Sequence, residues 1–416
     1  MDKLIWNTIT VWLMLLFASG CEAQDRSFVT VQPESVGLSS DSLAAMDRYF
    51  HELVDDGRLA GIQTAVLKNG KLAHFDSYGY ANIAEAIPLN SQTIFRIFSM
   101  TKPIVSVALM QLYDQGLFQL EDPISLYLPE FKTPEIYTDT GMVAANRPIR
   151  VIDLLRHTSG YGYGRSAYPA LNQMYASANL YAARDNREYV SRVSKLPLQF
   201  EPGTNWQYGV STNIVGRLVE VLSGQPLNEY LKVHILDPLS MHDTHFQLPA
   251  DKIERFTVGY GWQEDVGLTV RQAQRSNRYV QEVTLFNGGG GLVSTANDYI
   301  RFCQMMLQKG KSNGQTILSE ASVNLMLQDH LQEARARQQQ LRLPDREVGF
   351  GLGFAVRGSE TGEMENVFGW GGAVGTYFKI DTENDLAYVM MIQLSPHRHL
   401  GLRALLQDFV ESALIE

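Results

Sequence analysis

Phe95-Arg96-Ile97-Phe98-Ser99-Met100-Thr101-Lys102-Pro103 is the stretch on which the reading turns. Beyond it Val105, Ala108, Leu109 and Leu112 recur at helical spacing and mark a buried stripe. Pro103 fits only the first turn of that helix, because deeper inside a helix its ring strikes the carbonyl four residues back. Phe95 to Phe98 read as an extended approach. Ser99 therefore stands at a helix start, in the field of unpaired backbone N–H groups, and a residue three positions on returns to the same face. Lys102 is predicted to reach the Ser99 oxygen. An amine buried near other positive charge can accept a serine proton, which a free lysine at neutral pH does not do.

Alone, S-x-x-K is a weak motif, since chance supplies about one in a chain of this composition. Its weight grows because other chemistries are missing from the sequence. There is no H-E-x-x-H, no Walker lysine loop and no G-x-G-x-x-G after a strand. His242-x-x-His245 and His397-x-His399 are the close histidine pairs, and they read as loop histidines. Gly288 to Gly291 lack a following Lys-Ser/Thr and are read as close backbone packing in a turn. Gly209-Val210-Ser211-Thr212-Asn213 nearly spells a nucleophile elbow, but Asn213 breaks it. No metal and no cofactor is expected.

The chain has 416 residues, 45% hydrophobic and 19% charged, with 35 Lys plus Arg against 45 Asp plus Glu. That composition buries a sizeable core, and a net charge of −10 argues against a nucleic-acid partner. Two cysteines, Cys21 and Cys303, make no disulfide framework and no zinc or redox pair. The apolar run Val11 to Phe17 after Lys3 is too short to span a bilayer and ends in Ala18-Ser19-Gly20, so residues 1–20 read as a signal peptide. With Cys21 next, the segment resembles a bacterial lipoprotein signal, in which that cysteine is lipidated. An ordinary cleavage before Gln24 is the other reading. Either way the protein is expected to be exported, periplasmic or membrane-anchored through Cys21, with 21–37 as a linker.

Regular patterning begins at Leu38-Ser39-Ser40-Asp41, a helix start followed by the stripe Leu43, Met46, Phe50 and Leu53. Ile62 to Leu67 and Leu72 to Phe75 flank Lys68-Asn69-Gly70-Lys71, a hairpin signal. The middle reads as mostly helical, from Thr101 to Gly116 and from Thr212 to Leu236, with a break at Gly224-Gln225-Pro226. A helix near Asp298 to Leu307 and a strand over Ala387 to Leu394 follow. His157 reads as a helix-end residue with a structural hydrogen bond, Glu201 and Asp122 as turn or cap carboxylates, and Gln332 to Arg346 as a solvated segment.

Several ordered blocks join Phe95 to Lys102: Gly116 to Pro123, Leu128 to Phe131, Leu154 to Gly160, Phe200 to Gly203, Tyr208 to Ser211 and Gly289 to Thr295. Over 38–416 the sequence resembles the penicillin-recognising serine hydrolases, and within them it is most similar to class C β-lactamases and family VIII carboxylesterases. The resemblance implies an α/β plus all-α fold, an antiparallel sheet flanked by helices with a helical subdomain and the active site between them. Residues 38–98 and 285–416 would form the α/β part and 99–284 the helical part. It implies Ser99 as nucleophile, Lys102 and Tyr208 as its proton-transfer partners, and an oxyanion hole from the Ser99 and Ala373 N–H groups. Where class C enzymes have Tyr-x-Asn, Val210 takes the asparagine place. Where they have Lys-Thr-Gly, this chain has Trp370-Gly371-Gly372, as the esterase branch tends to show. Trp370, Gly371, Gly372 and Val210 are thus expected at the substrate. The function implied is cleavage of a small-molecule ester or amide through an acyl-enzyme. A β-lactamase or D-amino-acid peptidase is the alternative, and an inactive peptidoglycan-binding member a second. The oligomeric state is not legible.

Overall fold

Asn69 and Gly70 take positive φ of 53° and 68°, the backbone a two-residue hairpin needs, and fold strand β1 (Gly61–Lys68) back onto β2 (Lys71–Asn82). The computed structural model describes residues 28–275, 277–331, 348–357 and 366–415. Cys21, the leader and 332–346 lie outside them. Past β3 (Ile87–Pro88) the chain leaves the sheet, and it returns as β4 (Val348–Phe350), β5 (Ala355–Arg357), β6 (Val367–Gly371), β7 (Tyr377–Asp381) and β8 (Leu386–Met391). The spatial order is β4-β5-β6-β7-β8-β1-β2-β3, with neighbouring strands antiparallel. β1 beside β8 joins the early and late parts of the chain.

Strand alternation feeds two cores, because successive side chains point to opposite faces. Ala387, Val389 and Met391 of β8 enter the main core, while Leu386, Tyr388 and Met390 enter a second one. The second core is closed by helices α1 (Ser40–Asp55) and, at the end of the chain, Leu402–Ser412. The predicted stripe of α1 is buried there, and Ser39 caps the helix by accepting the Ser42 N–H at 3.2 Å. On the other face the main core takes α2 (Thr101–Asp114), α3 (Ser211–Ser223) and α4 (Ala296–Leu307); the C-terminal helix is α5. Cys303 of α4 is a free, fully buried thiol whose pKa burial pushes well above its ordinary value, so it is inert.

The middle departs from the helical expectation in two places. Glu135–Thr138 pairs with Gly141–Ala144, and Gly259–Gln263 with Gly267–Gln272. Each is a short hairpin whose strands are too brief to show periodicity, and β-branched and aromatic residues such as Ile136 and Tyr137 decide them. Asp298 to Leu307 and Ala387 to Leu394 are shifted by a residue or more from the observed Ala296–Leu307 and Leu386–Met391.

A buried carboxylate fixes the segment leading into the site. Asp153, with a wholly buried side chain, accepts from Arg147 at 2.8 and 3.0 Å, Arg156 at 3.1 Å, Thr158 Oγ1 at 2.9 Å and the Arg150 N–H at 2.9 Å. Burial alone raises its pKa, but the Arg147 hydrogen bond and the charges of Arg147 and Arg156 outweigh it and leave it below 3.8. The stability this carboxylate contributes is complete above its unfolded value and is lost as pH falls through the lower folded one. Asp153→Ala leaves two arginines unpaired and is expected to cost about 3 kcal/mol in urea unfolding. Asp153→Asn is expected to flatten the acid limb of the stability curve; an unchanged acid limb would show that Asp153 does not set it.

Candidate active site

Phe95–Arg96 pairs with Val293–Ser294, and the extended approach ends there, not at Phe98. Phe98 takes φ 43° and opens the 3₁₀ turn Phe98–Met100 that leads into α2. The left-handed backbone of Phe98 makes the bend between the strand and the turn that carries Ser99. Two bonds hold the turn: Tyr299 Oη donates to the Met100 carbonyl at 2.8 Å, and Thr101 Oγ1 accepts the Leu292 N–H at 3.1 Å.

One turn on, Lys102 is 0% exposed. Its Nζ donates to the Gly289 carbonyl at 2.6 Å and to Ser99 Oγ at 3.3 Å. It lies 4.6 Å from the Tyr208 ring centroid and 5.8 Å from that of Tyr163. The glycine run does more than pack. A Cβ at Gly289 would stand 2.3 Å from Asn213 Oδ1, so only glycine lets this backbone close on α3 and present its carbonyl to Lys102. That acceptor was not legible, because a backbone carbonyl leaves no mark on residue identity.

Tyr208 sits within an aromatic nest, with ring centroids 5.0 Å from His157, 5.2 Å from Trp370 and 5.5 Å from Tyr163. Its hydroxyl accepts from the Trp370 indole N–H at 3.2 Å, and among the described residues it makes no hydrogen bond with Ser99. Trp370, expected at the substrate, is thus a donor to the phenol. Among the described residues its own O–H has no acceptor and is available to donate. His157 carries no structural hydrogen bond on its ring: both ring nitrogens lack a partner among the described residues. Burial first, then the charge of Lys102, holds its imidazole well below 6.5 and neutral. It serves as a platform for Tyr208, Trp206 and Phe350.

The third box runs along β6 to Gly371. A Cβ on Gly372 would meet the Ile97 carbonyl at 2.5 Å and Thr376 Oγ1 at 2.1 Å, so glycine is what brings this strand end against the turn carrying Ser99. On Gly371 a Cβ would collide with the Arg403 guanidinium at 2.3 Å. The two glycines make room for protein neighbours. Ala373 follows in an exposed turn, and neither its N–H nor that of Ser99 has an acceptor among the described residues. Arg403, absent from the sequence reading, donates to the carbonyls of Gly372 at 2.7 Å and Thr376 at 3.2 Å. A cation in the first turn of α5 works against that helix's dipole, and these carbonyls compensate it.

Val210 is 1% exposed and its side chain packs in the main core, where a substrate does not reach it without that core opening. Ser211 is fully buried and paired with Ser159 Oγ at 2.9 Å, which excludes the elbow reading. Among the described residues, no group of three or more His, Cys, Asp or Glu is placed to hold a metal.

Residues 46–410 match the family described as Beta-lactamase. Protein Rv1367c of Mycobacterium tuberculosis is 33% identical over 361 residues, 83% of this chain and 88% of that protein. Esterase EstB of Burkholderia gladioli is 26% identical over 391 residues, 87% of this chain and 93% of that one. The solved structure of EstCE1, a hydrolase with promiscuous acyltransferase activity, superposes with a TM-score of 0.73 at 24% identity, over 89% of this chain and 98% of that one.

The Trp370–Tyr208 bond gives a local test. Trp370→Phe keeps an aromatic wall and removes the donor, so kcat on an aryl ester is expected to fall about tenfold with KM little changed. A fall confined to KM would assign Trp370 to substrate contact alone.

Proposed function

The chain belongs to the β-lactamase family, and from that membership we propose that it is a serine hydrolase cleaving carboxylic esters through an acyl-enzyme on Ser99. The observation that carries this reading is Lys102 Nζ, buried and 3.3 Å from Ser99 Oγ. Ser99 Oγ attacks the ester carbonyl carbon as its proton passes toward Lys102. The Ser99 and Ala373 N–H groups receive the developing oxyanion. The C–O bond to the alcohol breaks, and Tyr208, whose O–H is free to donate, protonates the departing oxygen. Water then attacks the acyl-enzyme by the same groups in reverse and releases the acid and Ser99. The esterase relatives and Trp370 in place of a cation support esters as the substrate class.

Fluorophosphonate labelling separates this reading from an inactive peptide binder, since only an activated serine reacts. Ser99→Ala is expected to abolish labelling and turnover. Lys102→Ala and Tyr208→Phe are each expected to lower kcat/KM about a hundredfold, with no further additive loss in the double mutant. Ser211→Ala is expected to stay active. Efficient cephalosporin turnover with negligible ester hydrolysis would move the assignment to a β-lactamase.

For location we propose export with a lipidated Cys21, supported by the apolar run ending in Ala18-Ser19-Gly20. Cys21→Ser is then expected to move the protein from the membrane to the soluble fraction. A mature chain beginning at Gln24 by mass spectrometry would refute lipidation.

A further inference from the structure

Two arginines near Phe98 have no carboxylate partner among the described residues. Arg96, three residues before the nucleophile, is 0% exposed. Its guanidinium donates to the carbonyls of Thr257 at 2.8 Å and Ala273 at 3.1 Å, its Nε has no partner, and no carboxylate pairs with it among the described residues. Burial pulls it down to about 10, with Arg278 adding to the pull and Tyr279 opposing it. Tyr279 stands between two guanidiniums, 5.8 Å from Arg96 Cζ and 4.8 Å from Arg278 Cζ.

Arg278 is the outer member and is exposed. It donates to Tyr279 Oη at 2.8 Å, and its Cζ lies 5.9 Å from the ring of Phe98, the residue before Ser99. Arg278 makes no ion pair among the described residues, in a chain whose net charge is −10. An acidic protein that keeps a buried and an exposed guanidinium on the Phe98 side, both without a carboxylate partner among the described residues, can take the counter-charge from outside.

We propose that Arg278 is a specificity-determining residue that binds a carboxylate of the substrate, so that the preferred esters carry an anionic group remote from the scissile bond. The proposal rests on the ester-hydrolase reading and narrows it. The anion sits on the Phe98 side because the third box, where a lysine would hold it, is filled by Trp370. The Arg403 guanidinium behind that box is committed to Gly372 and Thr376. A planar guanidinium anchored by one amine to Tyr279 retains donors for a bidentate carboxylate.

Two matched pairs of esters test it. In the first, para-nitrophenyl hydrogen adipate is compared with para-nitrophenyl heptanoate, placing the charge on the acyl chain. In the second, meta-carboxyphenyl butyrate is compared with phenyl butyrate, placing it on the leaving alcohol. For at least one pair, the anionic-to-neutral ratio of kcat/KM is expected to fall about tenfold in Arg278→Ala, further in Arg278→Glu, and little in Arg278→Lys. Ratios unchanged across the three variants in both pairs would overturn the proposal. If the unmodified protein hydrolyses no ester, the hydrolase reading fails, and calorimetric binding of monoethyl adipate and of meta-butyryloxybenzoate decides the subsite. Binding that weakens in Arg278→Glu sustains it, and absent or equal binding overturns it.

Discussion

Lys102 Nζ, wholly buried, is held between the Gly289 carbonyl and Ser99 Oγ, and among the described residues no carboxylate stands beside it. A carboxylate there would fix the amine as an ammonium and end its use as a proton acceptor. Its neighbours are accordingly neutral: the faces of Tyr208 and Tyr163, and the imidazole of His157. Burial and Tyr208 together push the Tyr163 phenol well above its ordinary range, so it too stays uncharged. Burying a polar amine is costly unless hydrogen bonds compensate it, as the Gly289 carbonyl and Ser99 Oγ do here. The surrounding fold has to impose it, which is why the start of α2 is clamped from two sides by Tyr299 and Leu292.

The sheet supplies the rest of that constraint. Because β8 joins β1 at its centre, the late strands are brought over the end of α2, and Gly372 closes against Ile97. Trp370 then meets Tyr208 across 162 residues of sequence. The same closure brings α5 behind β6 and seats Arg403 under the turn bearing Ala373. Site geometry here is a property of sheet assembly: a loosened β6–β7 pairing would shift Trp370 and Gly372 before it unfolded the helical core.

Local signals carried much of this. The α1 stripe, the Asn69-Gly70 hairpin and the proline-marked start of α2 are each written within a few residues, and each has a direct physical cause. The meeting of Ser99 with Lys102 followed from helical spacing. Contacts made through space were not legible. Gly289 contributes a carbonyl, Arg403 lies on a helix whose sequence marks only an amphipathic surface, and the Trp370 indole bond depends on the register of β6. Val210 misled because alignment to a motif position does not say which way a side chain points at a helix start. His157 misled because a histidine is expected to satisfy its nitrogens, whereas here its ring is used for its face.

The exchange of a lysine for Trp370 changes where charge resides around the nucleophile. A lysine at that place would put a cation beside Tyr208 in place of the indole. The indole instead offers one N–H to a phenol oxygen, which orients Tyr208 without adding charge. Of the other cations, Arg403 lies under the turn bearing Ala373, and buried Arg96 with exposed Arg278 lies on the Phe98 side. An arrangement with positive flanks favours a reaction in which negative charge develops on the substrate. It lets the flanks attract an anion without burying that anion against the reacting bond, where desolvation would oppose acylation.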